Sequence, residues 1–379
     1  MKIIIAPASF KGSLSNIEAA LIIEKACLDV FPSAETVLFP LADGGEGTID
    51  VVKKIAGGRL MQAEVHGPLF GKIKAKWLKQ EGTAYIEMAQ AAGLTLLSEK
   101  EKNPLETTTF GAGELIRRAV SFGCRDIFIG VGGSATNDGG IGALTALGAI
   151  FSRKNGSRIY PGCGKDLADI ERIDVSGLMP ELAESRFTIL SDVKNPLYGK
   201  RGAAYLYGPQ KGADKKVVEL LDKGLRNYSR LIRKTAGIDA AHIPGTGAAG
   251  GFAGGFAAFL QAEIVSGIET LLEMGRVADK IQNADLLFTG EGRVDIQTLY
   301  GKAPGVVTRI SEKHGVPVIL FAGRAEKEIC KKRIFKNALI AEISPENISV
   351  ERAMKNAGKY LYGAAVKMLK SRLVKSTCF

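Results

Sequence analysis

The sequence predicts an α/β protein with mostly parallel sheet, and three observations carry that expectation. Short apolar, β-rich runs alternate with helix-like stretches along the chain. Those runs are apolar almost throughout, which marks strands covered on both faces rather than strands with one wet face. At 379 residues the chain exceeds one ordinary domain, so two α/β domains are expected, one with a Rossmann-like, mostly parallel sheet.

The candidate strands are 2–7, 36–41, 84–88, 126–131, 187–191, 286–290, 316–321 and 338–343. The clearest helix follows Ser15, where Ser-Asn-Ile-Glu forms a capping box with Glu18. Helical spacing then puts Ile17, Ala20, Leu21, Leu28 and Phe31 on one face. The first and last parts of the chain are expected to share one sheet. That gives a discontinuous Rossmann-like domain of 1–70 plus 285–379 and a second α/β domain of 71–284. Gly67-Pro-Leu-Phe-Gly71 and the loop near Pro244 are the candidate crossings.

Composition excludes several classes. Hydrophobic residues make up 46% and charged residues 24%, the balance of a globular protein with a sizeable core. The five cysteines include no C-x-x-C pair, so neither a disulfide framework nor a zinc site is supported, and a reducing cytoplasm is expected. The opening MKIIIAPASF is too short an apolar run for a signal peptide, and no stretch reaches the length of a membrane span. The net charge is +11, of which residues 324–379 carry thirteen Lys/Arg against five Asp/Glu, a balance of +8. No aromatic stacking motif accompanies them, so a solvated helical surface is the reading and no nucleic-acid partner is expected.

Chemistry collects where strands end. Five apolar runs lead into loops rich in glycine and polar groups: Ala8–Ser13, Asp43–Thr48, 132–140, 192–196 and 290–295. Ligands of open α/β sheets bind outside the carboxyl ends of strands, so these loops are expected to wall one or two clefts. Glycine-rich turns bring backbone N–H groups to anionic oxygens. Lys11, Lys194, Lys211, Arg293 and Lys302 offer cations, and Asp43, Glu46, Asp138, Asp192, Glu291 and Asp295 offer carboxylates. Phosphate with a hard cation such as Mg2+ suits that mixture.

Other motifs are absent or weak. There is no G-x-x-x-x-G-K-[ST] and no G-x-S-x-G. Gly245-Thr-Gly247-Ala-Ala-Gly250 matches G-x-G-x-x-G, but Ala241-His-Ile-Pro244 is a poor strand to lead into it. A glycine-rich helix start close to a ligand or another helix is the better explanation than a dinucleotide fingerprint. His66, His242 and His314 form no metal spacing.

Seven ordered motifs then carry a resemblance. IIIAPASFKGSLS, PLADGGEGT, IGVGGSATNDGG, SDVKNPL, YGPQKGAD, PGTGAAGG and ADLLFTGEGRVDIQTLYGKAP resemble the glycerate kinase type I family, from Met1 to about Gly323. The resemblance implies two α/β domains with the active site in the cleft between them. It implies transfer of phosphate from Mg-ATP to D-glycerate, giving 2-phosphoglycerate, with 3-phosphoglycerate as the other product to consider. The expected partners are glycerate and ATP, with neither nucleic acid nor membrane, and a homodimer is compatible with it. Under this reading the candidate catalytic groups are Asp192, Lys11 and Asp295, with Asp192 as base. Ser9, Arg293, Asp43 and Glu291 are expected at the substrate. Gly132, Gly133, Ser134, Thr136, Asn137 and Lys211 are expected at the nucleotide, and Asp138 and Glu46 at the metal. One departure stands out: the family's opening loop usually has Asp where this chain has Ala8. A catalytically weakened or inactive relative of that kinase is therefore the alternative.

Overall fold

The computed structural model describes residues 1–299, 301–326, 329 and 335–371. Of the basic stretch 324–379, residues 327–328, 330–334 and 372–379 lie outside that description. The chain divides into two compact units: unit 1, Met1–Asp43 with Ile268–Phe379, and unit 2, Gly44–Gly267. Strands are numbered along the chain.

Unit 1 is built on a five-stranded sheet containing β1 (Lys2–Pro7), β2 (Glu35–Leu38), β12 (Leu286–Val294), β13 (Val318–Ala325) and β14 (Ala338–Glu342). The order is β14-β13-β12-β1-β2, and every neighbouring pair is parallel. The chain's beginning and end share this sheet, as expected. Ile3, Ile5, Phe288 and Phe321 bury one face against the helices Asn16–Val30 and Ala357–Lys370. The helix Ala303–Lys313 packs against β1, β12 and β13. Strand order runs outward from β1 to β2 in one direction and from β12 to β14 in the other. A topological switch point therefore falls between β1 and β12.

Unit 2 holds a six-stranded sheet containing β3 (Arg59–His66), β4 (Lys72–Gln80), β5 (Thr83–Glu87), β6 (Asp126–Gly130), β10 (Arg186–Leu190) and β11 (Glu263–Val265). Its order is β11-β10-β6-β5-β4-β3; the first four are mutually parallel and the last two antiparallel. A small antiparallel sheet, β8-β7-β9, comprises β7 (Ile150–Ser152), β8 (Arg158–Ile159) and β9 (Arg172–Asp174). Trp77, Phe151, Phe187, Phe252 and Tyr228 are among the fully buried large side chains of unit 2.

Several expectations are corrected. The compact units change over at 43/44 and 267/268, not at 70/71 and 284/285. The first shift follows because β3 pairs with β4 along its whole length, which places it in the second sheet. Gly67-Pro-Leu-Phe-Gly71 is accordingly the turn of that hairpin, closed by the Gly67 N–H donating to Gly71 O at 2.6 Å. On the first helix the capping box is present, with Ser15 Oγ accepting from Glu18 N and Glu18 Oε2 accepting from Ser15 N at 2.8 Å. Its buried face is Asn16, Ala19, Ala20, Ile23, Ala26 and Cys27, however, while Leu21 and Leu28 are exposed. Cys27, Cys124 and Cys163 are free thiols. Among the described residues no helix is long and apolar enough to cross a membrane.

Candidate functional site

In unit 1 the sequence candidates gather at the switch point. Ala8 follows β1, and its N–H donates to Gly290 O of β12 at 2.8 Å. Ser9 is half-buried and Lys11 exposed just beyond it. On β12, Glu291 is buried, accepts from Thr298 Oγ1 at 2.6 Å and lies 3.8 Å from Lys302 Nζ. Burial pushes its carboxyl up, against the pull of the Thr298 hydroxyl and the Lys302 ammonium. Asp295 accepts from Lys302 Nζ with both oxygens, at 2.9 and 3.0 Å. Asp295 and Thr298 also cap each other, Asp295 N donating to Thr298 Oγ1 and Thr298 N to Asp295 Oδ1.

The expected glycine-rich turn at 290–295 is not a turn. β12 continues to Val294, four residues past its pairing with Pro7, and pairs there with β13. The glycines serve close strand packing. A Cβ on Gly290 would lie 2.7 Å from Phe321 O, and one on Gly323 would lie 2.4 Å from Gly292 O. This extension leaves Arg293 largely exposed, in an ion pair with Glu326 at 3.0 Å. Asp43 is exposed where the first segment of unit 1 ends.

In unit 2 the loop after β6 forms a second cluster. Gly132 donates to Gly44 O at 3.0 Å, and Gly133 adopts a left-handed φ of 72° beside the Glu46 side chain. Glu46 is exposed and accepts from Thr95 Oγ1 at 3.0 Å. Lys211 is buried and donates to Ser134 Oγ at 2.9 Å and to Thr136 O at 2.6 Å. Both acceptors are neutral, and burial draws its ammonium down to about 7 while the charge of Asp138 partly restores it. Thr136 Oγ1 and both polar amide atoms of Asn137 are buried without a hydrogen-bond partner among the described residues.

Asp138 does not fit the metal role expected of it. It is fully buried and accepts from Thr109 N and Oγ1, Gly140 N and Gly142 N. Four donors already use both oxygens, so the carboxylate organises the starts of the helices Phe110–Ser121 and Ile141–Ala146. Burial raises its carboxyl against those four bonds. Among the described residues no three His, Cys, Asp or Glu side chains form a metal-holding cluster. Mg2+ bound mainly by phosphate oxygens needs only one or two carboxylates, and of the two expected ligands Glu46 has the exposure for it.

Asp192 lies two residues past the end of β10, which neighbours β6 in the sheet, and accepts from Ser266 Oγ at 2.6 Å. Lys194 is exposed. Asn195 is buried, with its side-chain oxygen unpartnered. Residues 245–251 are not preceded by a strand. They form a turn with left-handed Ala249, Gly250 and Gly251 that opens the helix Phe252–Phe259. In the sequence Asn195 stands only within the 192–196 loop, with no role of its own, and neither Thr109 nor Thr298 is singled out. The spacing Asp295-x-x-Thr298 is a readable cap signal, whereas Thr109 acts across 29 residues and leaves no local sign. Of the histidines, His66 lies 3.0 Å from the Glu114 carboxylate and His242 the same distance from Asp239.

Comparison with known proteins matches this frame. A model described as the glycerate kinase family matches residues 3–372. A glycerate 2-kinase of Escherichia coli K12 is 44% identical over 331 residues, 87% of each chain. A glycerate kinase of Halalkalibacterium halodurans is 40% identical over 367 residues, 96% of each. A crystal structure from Salmonella typhimurium LT2, provisionally named glycerate kinase 2, superposes with a TM-score of 0.79 at 38% identity, covering 99% of this chain and 98% of that one. This chain belongs to the glycerate kinase family.

Proposed function

We propose that the chain transfers the γ-phosphoryl group of ATP to a hydroxyl of D-glycerate, giving 2-phosphoglycerate. The observation that carries this reading is the family match over nearly the whole chain. In the proposed division of labour, residues 132–140 and Lys211 receive nucleotide phosphates through backbone N–H groups, hydroxyls and one cation. Lys11 and Arg293 attract the acid's carboxylate, with Ser9, Asp43 and Glu291 available to its hydroxyls. For Arg293 this requires exchange of its Glu326 partner. Asp192 orients the acceptor hydroxyl and takes its proton, and its bond from Ser266 fixes the carboxylate's direction. Asp295, held by Lys302, keeps that cation beside Glu291. Mg2+ held with the phosphates would neutralise charge on the transferring group, with Glu46 the residue to hold it.

The test is ADP release over a panel of small hydroxy acids, with and without Mg2+, and assignment of the phosphorylated carbon by NMR. D-Glycerate should give Mg2+-dependent release and a 2-phospho product. Replacing Asp192 with Asn should lower kcat by ~10²–10⁴ in a folded protein, the range of a lost general base. Release with no hydroxy acid would overturn the reading, and near-normal turnover in Asp192→Asn would remove that residue from the chemistry.

A further inference from the structure

We infer that the G-x-G-x-x-G turn of residues 245–251, together with Asn137, Asn195, Thr136 and Lys211, forms a closed subsite for a small oxyanion that carries adjacent hydroxyl donors. The inference rests on the proposed kinase reading of the 132–140 loop and extends it to Asn195 and the turn.

Both carboxamides lie against the turn. A Cβ on Gly250 would stand 2.8 Å from Asn137 Oδ1, and a Cβ on Gly247 would stand 2.1 Å from Asn195 Nδ2. Gly247 N donates to Asn195 O at 3.2 Å, and Gly139 N donates to Gly250 O at 3.0 Å, so backbone bonds lock the turn to both loops. Non-glycine Ala249 is held at φ 51°, a strained conformation that persists only where the surroundings over-determine it. Asn137 is 1% exposed, Thr136 0% and Asn195 8%. Among the described residues, Thr136 Oγ1, Asn137 Oδ1 and Nδ2, and Asn195 Oδ1 have no partner. Buried polar groups left unsatisfied cost free energy, so four such atoms, on two loops that the same turn joins, call for an occupant.

The inventory states what that occupant must offer. Lys211 uses two of its three N–H donors on Ser134 Oγ and Thr136 O. Its third donor, Thr136 Oγ1 and Asn137 Nδ2 ask for anionic or carbonyl oxygens. Asn137 Oδ1 and Asn195 Oδ1 ask for donors. Inorganic phosphate offers chiefly acceptors. A hydroxy acid offers a carboxylate with hydroxyls, and a nucleotide offers phosphate with ribose hydroxyls.

The test is titration calorimetry on the full chain with three probes, D-glycerate, Mg-ADP and inorganic phosphate, for the parent, Asn195→Ala and Lys211→Met. Asn195→Ser is the fallback should Asn195→Ala fold poorly. One organic probe should bind at least about tenfold more weakly to Asn195→Ala, the scale of a lost buried hydrogen bond, while the other is nearly unchanged and the ligand-free thermal midpoint does not fall. Lys211→Met should weaken the same probe. Selective loss of glycerate identifies the acid as the source of the oxyanion, and selective loss of Mg-ADP identifies the nucleotide. Unchanged binding of both, or equal weakening of both with a lower midpoint, overturns the subsite and leaves ordered water as the occupant. ADP release is measured separately, so failure of the kinase reading and failure of this subsite give different results.

Discussion

Tyr228 and Lys211 show how a single buried side chain sets a measurable property. The Tyr228 hydroxyl is fully buried and has no partner among the described residues; it packs against Gly255, and the ring against Gly139. Removing an unsatisfied hydroxyl recovers its desolvation cost without opening a cavity. Tyr228→Phe should therefore be neutral or stabilising by up to ~1 kcal/mol, read from urea unfolding; clear destabilisation would mean that the hydroxyl has a partner. Lys211 makes a pH prediction. Its ammonium, near 10.5 when free, is drawn to about 7 by burial, with Asp138 the charged group acting on it and Ser134 and Thr136 its neutral neighbours. The unfolded chain thus binds this proton more tightly than the folded one. Between pH 7 and the ordinary lysine range unfolding takes up a proton, so this residue makes stability rise with pH. Comparing the parent with Lys211→Met across that window should isolate the slope, and identical slopes would refute it. Residues like these were only partly legible. Lys211 was readable as a cation in a motif, but its burial depends on packing that the sequence does not spell out.

Elements were more legible than the faces they bury. The eight expected strands all exist; central ones such as β1 and β12 are covered and write themselves as apolar runs, while the edge strands β2 and β14 are only partly buried but still apolar enough to read. The hairpin of β3 and β4 went unread because β3, at the sheet's edge, is mostly exposed and β4, beside it, carries Lys72, Lys74, Lys76 and Lys79 among its apolar residues. The extension of β12 went unread because Gly290 and Gly292 look like turn residues until the neighbouring strand's backbone is in place. On the first helix the cap was right and the face was wrong. The helix seats small residues, Ala19, Ala20 and Ala26, against its neighbour and leaves larger Leu21 and Leu28 outside, so a search for large apolar residues misleads. Two predictions belong here. Ser15→Ala removes half of the capping box and should cost ~1 kcal/mol of stability with kinetics unchanged; a loss of activity at full stability would mean that Ser15 does more than cap. Gly113→Ala puts a Cβ 2.4 Å from the Ala143 carbonyl oxygen, where the helix Phe110–Ser121 crosses Ile141–Ala146. Overpacking there should cost ~1–3 kcal/mol, measured by chemical denaturation, and a neutral result would show that the two helices can separate freely.

At the scale of the whole chain, one sheet is assembled from both ends of the sequence, and that topology gives Ala8 its importance. β1 comes from the first residues and β12 from nearly 280 residues later, yet they are hydrogen-bonded neighbours at the switch point. Ala8 follows β1 there, tied to Gly290 O, with Lys11 and Glu291 close by. Family resemblance leads one to expect Asp at this position. A carboxylate there would stand at the carboxyl end of β1, where such sheets bind ligands, three residues before Lys11. Alanine clashes with nothing and spares the cost of a carboxylate in a partly dry place. A weakened kinase, a natural variant whose other carboxylates compensate and a deliberately altered protein all fit alanine here, and Ala8→Asp tests whether position 8 takes part in the chemistry. If position 8 orients the acceptor hydroxyl or a metal-bound water, the substitution should raise kcat about tenfold or more, equivalent to ~1.4 kcal/mol of transition-state stabilisation. The thermal midpoint should stay flat or fall, since the added charge serves the transition state and not the fold. Unchanged turnover would take position 8 out of the chemistry and leave the proton-accepting role to Asp192 and its neighbours. A higher midpoint with unchanged turnover would instead make the residue a structural partner of Lys11.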